Sequence, residues 1–183
     1  GISTDSGIPD FRGPNGVWTR NPKAELASQI SHWISDPEVR RARWETMLQK
    51  RGSGVEPRPN AGHLALVELE RTGKLLRLVT QNVDGLHRQA GSTDVVEVHG
   101  NVRETRCLDC GDLRPMDETL DRVQQGDYDP NCLRCGGMLK TATISFGQSL
   151  VPSDIDAAFD AAKGCDLVLA VGTTLSVYPV GRL

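Results

Sequence analysis

Short apolar runs recur along the chain between polar segments, and four of them have the length and composition of β-strands. They lie at residues 75–79, 95–98, 142–145 and 167–171, and they are rich in Val, Leu and Ile. Helical patterns lie between these runs. Strands that alternate with helices predict an α/β fold with a doubly wound, parallel, Rossmann-like sheet.

Three segments have helical spacing together with recognisable start signals. Asp36 followed by a proline predicts an N-cap and a helix that runs to about Lys50. Asn60 predicts the cap of a second helix, which should stop at Gly73. A third helix should begin near Ser153, because an acidic residue three positions later resembles a capping box.

Polar segments follow three of the predicted strands, at residues 81–85, 99–101 and 172–174. Open parallel sheets bind ligands outside the carboxyl ends of their strands. One polar loop after a strand means little, but three on one predicted edge indicate a binding site.

The composition adds limits on function. Hydrophobic residues make up 38% of the 183 residues and charged residues 25%, which is typical of a soluble globular protein. No apolar run approaches the roughly 18–20 residues that a membrane span needs. The net charge of −3 argues against a broad nucleic-acid surface.

The cysteines give the most specific motif. Four of the five form two C-x-x-C pairs, which suit a tetrahedral zinc site and a reducing compartment: Cys107, Cys110, Cys132 and Cys135. Because sulfur fills all four positions, such a metal would be structural. A pair of redox dithiols is the alternative. Cys165 is predicted to be a small buried hydrophobe.

Two further features are candidates for chemistry. The glycine-rich segment 1–13 could bring backbone N–H groups to phosphates, but it lacks the full G-x-G-x-x-G pattern and could equally be a plain loop. His99 follows a predicted strand at the site edge, where an imidazole suits general-base catalysis. The other histidines are predicted to be structural, and the cluster Arg40, Arg41 and Arg43 a solvated helix face.

Taken together, the motifs resemble the sirtuin family across essentially the whole chain. The matching segments are Gly1-Ile-Ser with Gly-Ile-Pro-Asp-Phe-Arg-Gly13, Thr80-Gln-Asn-Val-Asp-Gly-Leu-His87, Glu97-Val-His-Gly-Asn101, the two cysteine pairs, Phe146-Gly147 and Gly172-Thr-Thr-Leu-Ser-Val177. The resemblance implies a Rossmann-like domain formed by residues 1–100 and 141–183, a helical insertion at about 20–60, and a zinc module at 101–140.

The resemblance also implies an activity, which is NAD-dependent removal of acyl groups from protein lysines with release of nicotinamide and O-acyl-ADP-ribose. His99 would be the catalytic base that acts on a ribose hydroxyl. The residues expected to bind NAD are Gly1, Ser3, Thr4, Asp10, Phe11, Arg12, Trp18, Gln81, Asn82, Asp84, Gly172, Thr173 and Thr174. One structural Zn²⁺ per chain would sit in the cysteine cluster.

The acylated protein substrate is expected to add as a strand beside two segments and to place its acyl group in a pocket. The expected substrate-binding residues are Trp44, Met47, Phe146, Gly147, Gln148, Leu175 and Val177. Relatives that favour dicarboxylic acyl groups carry Tyr and Arg where Trp44 and Met47 align. Because this chain lacks that Arg, neutral acyl groups should be preferred, since the carboxylate of a dicarboxylic acyl group would be buried without a partner at a high cost in free energy.

The chain departs from the family pattern at three places. The family's Gly-Ala before Gly1 and its later strand and helix after Leu183 are missing, so a fragment is expected, and Gln148 replaces the usual Glu. Mono-ADP-ribosyl transfer on the same fold and a non-catalytic zinc module that binds chromatin are the alternatives. The expected location is the cytoplasm of a prokaryote, or the nucleus if the source is eukaryotic, with no direct nucleic-acid or membrane binding.

Overall fold

The computed structural model describes residues 1–21, 28–54 and 56–183. The helices are α1 Val17–Arg20, α2 Ile30–Ser35, α3 Pro37–Gly52, α4 Ala61–Arg71, α5 Leu86–Ala90, α6 Met116–Gln124 and α7 Pro152–Gly164. The strands are β1 Leu78–Thr80, β2 Val95–Glu97, β3 Glu104–Cys107, β4 Leu113–Pro115 and β5 Leu139–Thr141, and 3₁₀ turns form at Ile2–Ser6 and Val180–Arg182. Among these residues no helix combines the length and the hydropathy that crossing a bilayer demands.

The chain forms two compact units. The first contains the described residues of Gly1–Ala24, Pro57–His99 and Ser149–Leu183, and the second contains those of Glu25–Glu56 and Gly100–Gln148. The predicted helical insertion therefore falls largely in the same unit as the cysteine pairs.

In the first unit, β1 and β2 form a parallel pair in which Leu78 lies opposite Val95. The core beside them is small and aliphatic, and its fully buried members are Val98, Ala158 and Val180. Val98 directly follows strand β2, and Ala158 lies in helix α7. This parallel pair with its flanking helices confirms the predicted α/β class.

Two of the four predicted strands are confirmed and two are wrong. The run at 75–79 overlaps β1, and the run at 95–98 contains β2. The strand expected at 142–145 lies instead at Leu139–Thr141, where the backbone pairs with β3. The run 167–171 forms no strand with any described residue, and Leu167 is 82% exposed. An apolar run indicates a preference for burial, but a strand also needs a backbone partner.

Helix boundaries follow the predicted caps at two helices of three. The Asp36 carboxylate accepts the Glu38 N–H at 2.9 Å and begins α3. Asn60 Oδ1 accepts the Gly62 N–H at 2.9 Å and begins α4. The capping box at Ser153 is wrong, because α7 begins one residue earlier at a proline and its N-cap makes no side-chain hydrogen bond. Proline has no N–H, so this terminus needs one acceptor fewer.

The second unit is built from an antiparallel sheet with the order β4–β3–β5 and from α2, α3 and α6. Its core joins the two kinds of element. Trp33 and Trp44 meet edge to face at 5.3 Å, and they pack in one cluster with Cys107, Leu120 and Leu139. The Trp33 indole N–H donates to the Leu139 carbonyl at 3.1 Å, which ties α2 to β5.

One residue of the predicted solvated arginine face proves to be buried. Arg40 Nε and Nη2 bind the two carboxylate oxygens of Asp129 at 2.8 and 2.7 Å, and Nη1 donates to the Trp33 carbonyl at 3.0 Å. Only 9% of Arg40 is exposed. The prediction failed for this residue because a helix face that is charged in sequence can still meet a carboxylate on another element.

The close approach of Gly100 to the backbone after β5 gives a test of this packing. Gly100 has φ +69°, and a Cβ there would lie 1.8 Å from the Ala142 carbonyl oxygen. Gly54 has φ +68° with open space around its Cβ position. Gly54→Ala should cost about 1–2 kcal/mol of unfolding free energy from strain alone.

Gly100→Ala should cost a further ~1–3 kcal/mol, because the backbone must move to relieve the overlap. Chemical denaturation followed by circular dichroism measures both variants. Equal losses for the two would show that the approach of Ala142 to Gly100 is not as close as the structure has it.

Candidate active site

A buried serine joins separate segments at the edge of the first unit's sheet. The Ser3 hydroxyl donates to Asp84 Oδ2 at 2.7 Å and accepts from Asn82 Nδ2 at 3.0 Å. His63 Nε2 lies 3.5 Å from the same oxygen. Ser3 is 5% exposed, so these bonds replace those that water would make. The 3₁₀ turn that carries Ser3 is thereby fixed to the loop after β1.

Asn60 makes a second connection to the same turn. Its Nδ2 donates to the Ile2 carbonyl and to Ser6 Oγ, each at 2.9 Å, while its Oδ1 caps α4. One side chain therefore begins a helix and holds the N-terminal turn against it. The sequence predicted only the first of these roles.

His63 and His87 form a stacked pair with ring centroids 4.8 Å apart. The Asn60 backbone N–H donates to His63 Nδ1 at 3.3 Å, so in the neutral ring Nε2 carries the proton and points it toward Ser3. Burial lowers the pKa of His63. Burial, with a smaller contribution from His63, lowers the pKa of His87 to about 4.

The sequence analysis predicted that both histidines are structural, and it did not predict that they form a pair beside Ser3 and Asp84. The sequence does contain a signal for this pair. His63 stands three residues after a capping Asn, and His87 stands three residues after Asp84 in the loop predicted to bind a ligand. The Asp84 carboxylate also accepts the Leu86 N–H at 2.9 Å, which brings His87 to a fixed place at the start of α5.

His99 lies two residues beyond β2, where its imidazole is held by one nitrogen. Nδ1 is 3.1 Å from the Gln81 carbonyl oxygen, which can only accept, so the neutral ring carries its proton on Nδ1 and presents Nε2 as the basic nitrogen. Burial lowers the pKa of His99, and the bond to Gln81 opposes this lowering in part. At neutral pH the ring is therefore uncharged and able to accept a proton.

Two glycines at this edge pack so closely that neither position has room for a side chain. A Cβ at Gly1 would lie 2.8 Å from the Gly172 carbonyl oxygen, and one at Gly172 would lie 2.4 Å from the Ile2 nitrogen. Gln81 Nε2 donates to Thr173 Oγ1 at 3.0 Å. These contacts bring the segments before and after the sheet edge together as backbone, which is the condition for close approach to a phosphate.

Residues 10–18 form a loop closed by its own hydrogen bonds. The N–H groups of Val17 and Trp18 donate to the carbonyls of Asp10 and Phe11 at 2.8 and 2.9 Å. Trp18 stacks on Phe11 at 4.5 Å, and the Arg12 guanidinium lies 4.6 Å from the Trp18 ring centroid. The Asp10 carboxylate accepts the Gly13 N–H at 3.0 Å, which also holds the loop.

The remaining predicted NAD-binding residues lie in the first unit too. Thr4 Oγ1 donates to the Gly1 carbonyl at 2.8 Å, and Thr174 Oγ1 is 2.8 Å from Ser176 Oγ. All thirteen predicted NAD-binding positions and His99 therefore belong to one compact unit.

The predicted peptide-binding segments fall in different units. Leu175 and Val177 belong to the first unit, and Leu175 has an unusual positive φ of 53°. Phe146, Gly147 and Gln148 belong to the second, where the Phe146 N–H donates to the Ser28 carbonyl at 3.1 Å. Leu175 and Phe146 are both exposed.

The acyl-pocket prediction needs correction for Trp44. Trp44 has no exposed surface and belongs to the second unit's core, and Met47 packs partly buried against the same core. A side chain without accessible surface offers a ligand no contact in this conformation. The alignment of helix α3 with relatives suggested a pocket, but the tryptophan is used to join α3 to the sheet.

The four cysteines of the C-x-x-C pairs converge. Their sulfur atoms all lie within 4.8 Å of one another, and the pairs Cys107–Cys135 and Cys110–Cys132 are 3.5 and 3.8 Å apart. Tetrahedral zinc with Zn–S bonds of about 2.3 Å requires sulfur separations of about 3.8 Å. The Cys110 and Gly137 N–H groups point at Sγ of Cys107 and Cys135, at 3.5 and 3.4 Å.

The thiols of this cluster affect one another's pKa. The Cys135 N–H lowers the pKa of Cys132 to about 7. The Gly137 N–H lowers the pKa of Cys135, but the Cys110 and Cys107 thiols outweigh it and raise that pKa to about 12. Four thiolates at this spacing cannot coexist without a positive charge between them, and a divalent metal supplies one.

Comparisons with known proteins agree on one family. The model of the Sir2 family matches residues 1–179. NAD-dependent protein deacetylase 2 of Streptomyces coelicolor is 46% identical over 185 residues, which cover 100% of this chain and 76% of that protein. An NAD-dependent protein deacetylase of Sulfolobus acidocaldarius is 44% identical and covers 100% of this chain and 69% of that protein.

Solved structures give the same answer. A structure described as the basis for the mechanism and regulation of Sir2 enzymes has a TM-score of 0.81 at 36% identity, covering 100% of this chain and 71% of that one. A complex described as Sir2, p53 peptide and NAD⁺ has a TM-score of 0.79 at 31% identity, covering 99% of this chain and 70% of that one.

The buried His87 ring predicts how stability depends on pH. Its folded pKa of about 4 lies below the ordinary 6.5, so between these values the unfolded chain binds a proton that the folded chain does not. Unfolding free energy should therefore fall as the pH drops from about 6.5 to about 4, by up to about 3 kcal/mol from this residue.

His87→Gln should flatten that part of the stability profile, whereas His32→Gln, at an exposed position of α2, should leave it as in the wild type. Urea denaturation at steps of half a pH unit measures the slopes. Parallel profiles for wild type and His87→Gln would contradict the assignment.

Proposed function

The chain belongs to the Sir2 family, and we propose that it catalyses NAD-dependent removal of acetyl or other neutral acyl groups from protein lysines. Nicotinamide and O-acyl-ADP-ribose are the products of this reaction. The substrates are acylated lysines in extended protein segments, in keeping with the peptide complex among the similar solved structures.

The tautomer and the protonation state of His99 are the observation that best supports the proposal. An imidazole that acts as a general base must be unprotonated and must have a free nitrogen, and its pKa should lie near the working pH. The Gln81 carbonyl occupies Nδ1, and burial keeps the ring neutral. His99 accepts a proton at Nε2 and is the catalytic residue of the proposed reaction.

The proposed NAD-binding residues all belong to the first unit. NAD, when bound, supplies the ribose that receives the acyl group. Gly1 and Gly172 are proposed to present backbone N–H groups to the phosphates, since neither carries a side chain that would cover them. The others are Ser3, Thr4, Asp10, Phe11, Arg12, Trp18, Gln81, Asn82, Asp84, Thr173 and Thr174. Ser3 and the Leu86 N–H hold both carboxylate oxygens of Asp84, so it stays oriented.

We assign substrate contact to the segments Phe146–Gln148 and 175–177, where Phe146, Gly147 and Leu175 are exposed. Strand addition there would use backbone groups other than those of Phe146, whose N–H and carbonyl already bond Ser28 and Ile30. Gln148 adds no ionic contact, because its amide is neutral, and its Oε1 accepts the Ser145 N–H at 3.1 Å. Met47 remains a candidate for the acyl pocket because it is only partly buried. Preference for neutral acyl groups is kept, since Met47 offers a carboxylate no partner.

The four clustered cysteines are proposed to hold one structural Zn²⁺ per chain. Their sulfur spacing and their split proton affinities suit the metal, and a site with four protein ligands leaves no position for a catalytic water. Reduced thiols of this kind suit the cytoplasm, which is the location we propose.

Product analysis tests the function. An acetyl-lysine peptide and its unacetylated counterpart are incubated with the protein and NAD, and the products are identified by mass spectrometry. O-acetyl-ADP-ribose and nicotinamide from the acetylated peptide alone are expected. ADP-ribose attached to either peptide would instead identify a mono-ADP-ribosyltransferase, and no NAD consumption would exclude both reactions.

Replacing the proposed base should stop turnover without removing the ligand site. His99→Ala should lower the rate by about 10²–10⁴-fold, the usual contribution of general-base catalysis. NAD affinity, measured by titration calorimetry, should stay within about tenfold of the wild type, because the proposed contacts to NAD lie on other residues.

The control is His32→Ala, at an exposed position of α2, which should keep full activity. Retention of more than about a tenth of the wild-type rate by His99→Ala would rule out this residue as the base.

Removing a proposed zinc ligand should unfold the module around it. Cys132→Ser should lose the metal and most of the sheet β4–β3–β5, because metal-binding energy in such modules is folding energy. Cys165→Ser, which changes the cysteine outside the cluster, should retain one zinc per chain. Elemental analysis and circular dichroism measure both effects. Active wild-type protein without zinc would contradict the proposal.

A further inference from the structure

Lys140 is a buried cation that the proposed reaction does not use. It lies in β5 opposite Arg106 and is only 2% exposed. Within the part of the chain that the structure describes, no carboxylate pairs with its ammonium group, and the nearby charge that acts on it is the like charge of Arg43. Burial, with the smaller effect of Arg43, lowers the pKa of Lys140 to about 8.

A charged lysine in this buried position lowers the stability of the fold. Lysine is among the residues least often fully buried, and a charged amine usually enters an interior with an anion beside it. Lys140 is instead satisfied by neutral oxygens. Its Nζ donates to the carbonyls of Thr141 and Thr143, and Thr143 Oγ1 lies 3.5 Å away.

These acceptors belong to one turn, which we call the 141–143 turn. The two threonine hydroxyls are 2.8 Å apart, and the Ala142 N–H donates to the Glu104 carbonyl at 2.8 Å. Two carbonyls that point toward one ammonium are held on the same side of the turn. Without the ammonium they would repel each other and be buried without donors.

The 141–143 turn has two neighbours that matter for the proposed site. Its Ala142 carbonyl oxygen lies where a Cβ of Gly100 would be, and Gly100 is the residue that follows His99 in the chain. On its other side the turn leads to Phe146, whose N–H and carbonyl bind the Ser28 carbonyl and the Ile30 N–H at 3.1 and 2.9 Å. The turn thus sets the path of the backbone into Phe146–Gln148.

We propose that Lys140 is a positioning residue for the acylated peptide, because its ammonium group holds the 141–143 turn and through it the segment Phe146–Gln148. This inference rests on the proposed function, since that segment is one to which we assign substrate contact. Lys140 does not touch the substrate. It acts by fixing the backbone that does.

Hydrogen exchange tests the first half of the proposal without using activity. In Lys140→Met, which keeps the side-chain length and removes the donors, the amides of Ala142 and Phe146 should exchange at least about tenfold faster. The amides of Cys107 and Cys132, bonded to the Asp112 and Gly137 carbonyls, should stay within about threefold. Lys163→Met, on a lysine whose side chain is 77% exposed, is the matched control and should change none of them.

Steady-state kinetics test the second half on the same proteins. Lys140→Met should raise KM for an acetyl-lysine peptide about tenfold or more, with KM for NAD within about twofold and one zinc per chain retained. Lys140→Arg, which keeps a cation that can donate to the same carbonyls, should recover most of the loss. If Lys140 only stabilised the second unit, its replacement would change KM for the peptide, KM for NAD and the zinc content together.

Three results would overturn the inference. Unchanged exchange at Ala142 and Phe146 would show that Lys140 does not hold the turn. Faster exchange that extends equally to Cys107 and Cys132 would show a general loss of the module. Faster exchange of the turn with an unchanged peptide KM would separate the turn from the substrate. If the wild type consumes no NAD with the peptide, the proposed function fails, and the substrate role of Lys140 fails with it. The exchange result would still decide whether Lys140 holds the turn.

Discussion

The Ser3 hydroxyl is where the polar edge of the first unit is held together. Its oxygen bonds to side chains that are 60, 79 and 81 residues away in the chain. Apolar contacts resist separation but do not specify orientation, whereas each of these hydrogen bonds works at one distance and angle. Asn60 adds two more bonds to the same turn. Because Ser3 is buried, any loosening of the turn would leave polar groups without partners, so the edge is rigid before a ligand arrives.

In the second unit, charged and ionisable side chains are stabilised in three different ways. Arg40 is matched by the two oxygens of Asp129. The four clustered sulfurs are spaced so that a metal ion, as proposed, would offset the charge of their thiolates. Among the described residues, Lys140 donates to the carbonyls of Thr141 and Thr143 and pairs with no carboxylate. A cation held by neutral oxygens gains less than one held by a carboxylate, so the inferred role of Lys140 lies in the backbone geometry that it imposes rather than in stability.

Local signals in the sequence were sufficient where a single residue and its near neighbours decide the outcome. Asp36 and Asn60 cap the helices that their positions predict, and the spacing of the cysteines brings four sulfurs together. Outcomes decided by distant contacts were missed. Trp44 and Arg40 lie on one helix, and only their partners on other elements show that both are buried. The run at 167–171 has the composition of a strand, but composition cannot supply a partner for its backbone.

The histidines show why a lowered pKa does not identify a catalytic base. Burial depresses the pKa of His63, His87 and His99 alike. Both ring nitrogens of His63 are engaged, one by the Asn60 N–H and the other by the Ser3 hydroxyl. The buried Nδ1 of His87 has no partner among the described residues. The pKa of His87 is also too low for efficient proton transfer near neutral pH. In His99 one nitrogen is satisfied by a carbonyl, which fixes the tautomer, and the other remains available at the end of a strand. Geometry is therefore what supports His99 as the proposed base among the three imidazoles, and the lowered pKa shows only that its ring is able to accept a proton at neutral pH.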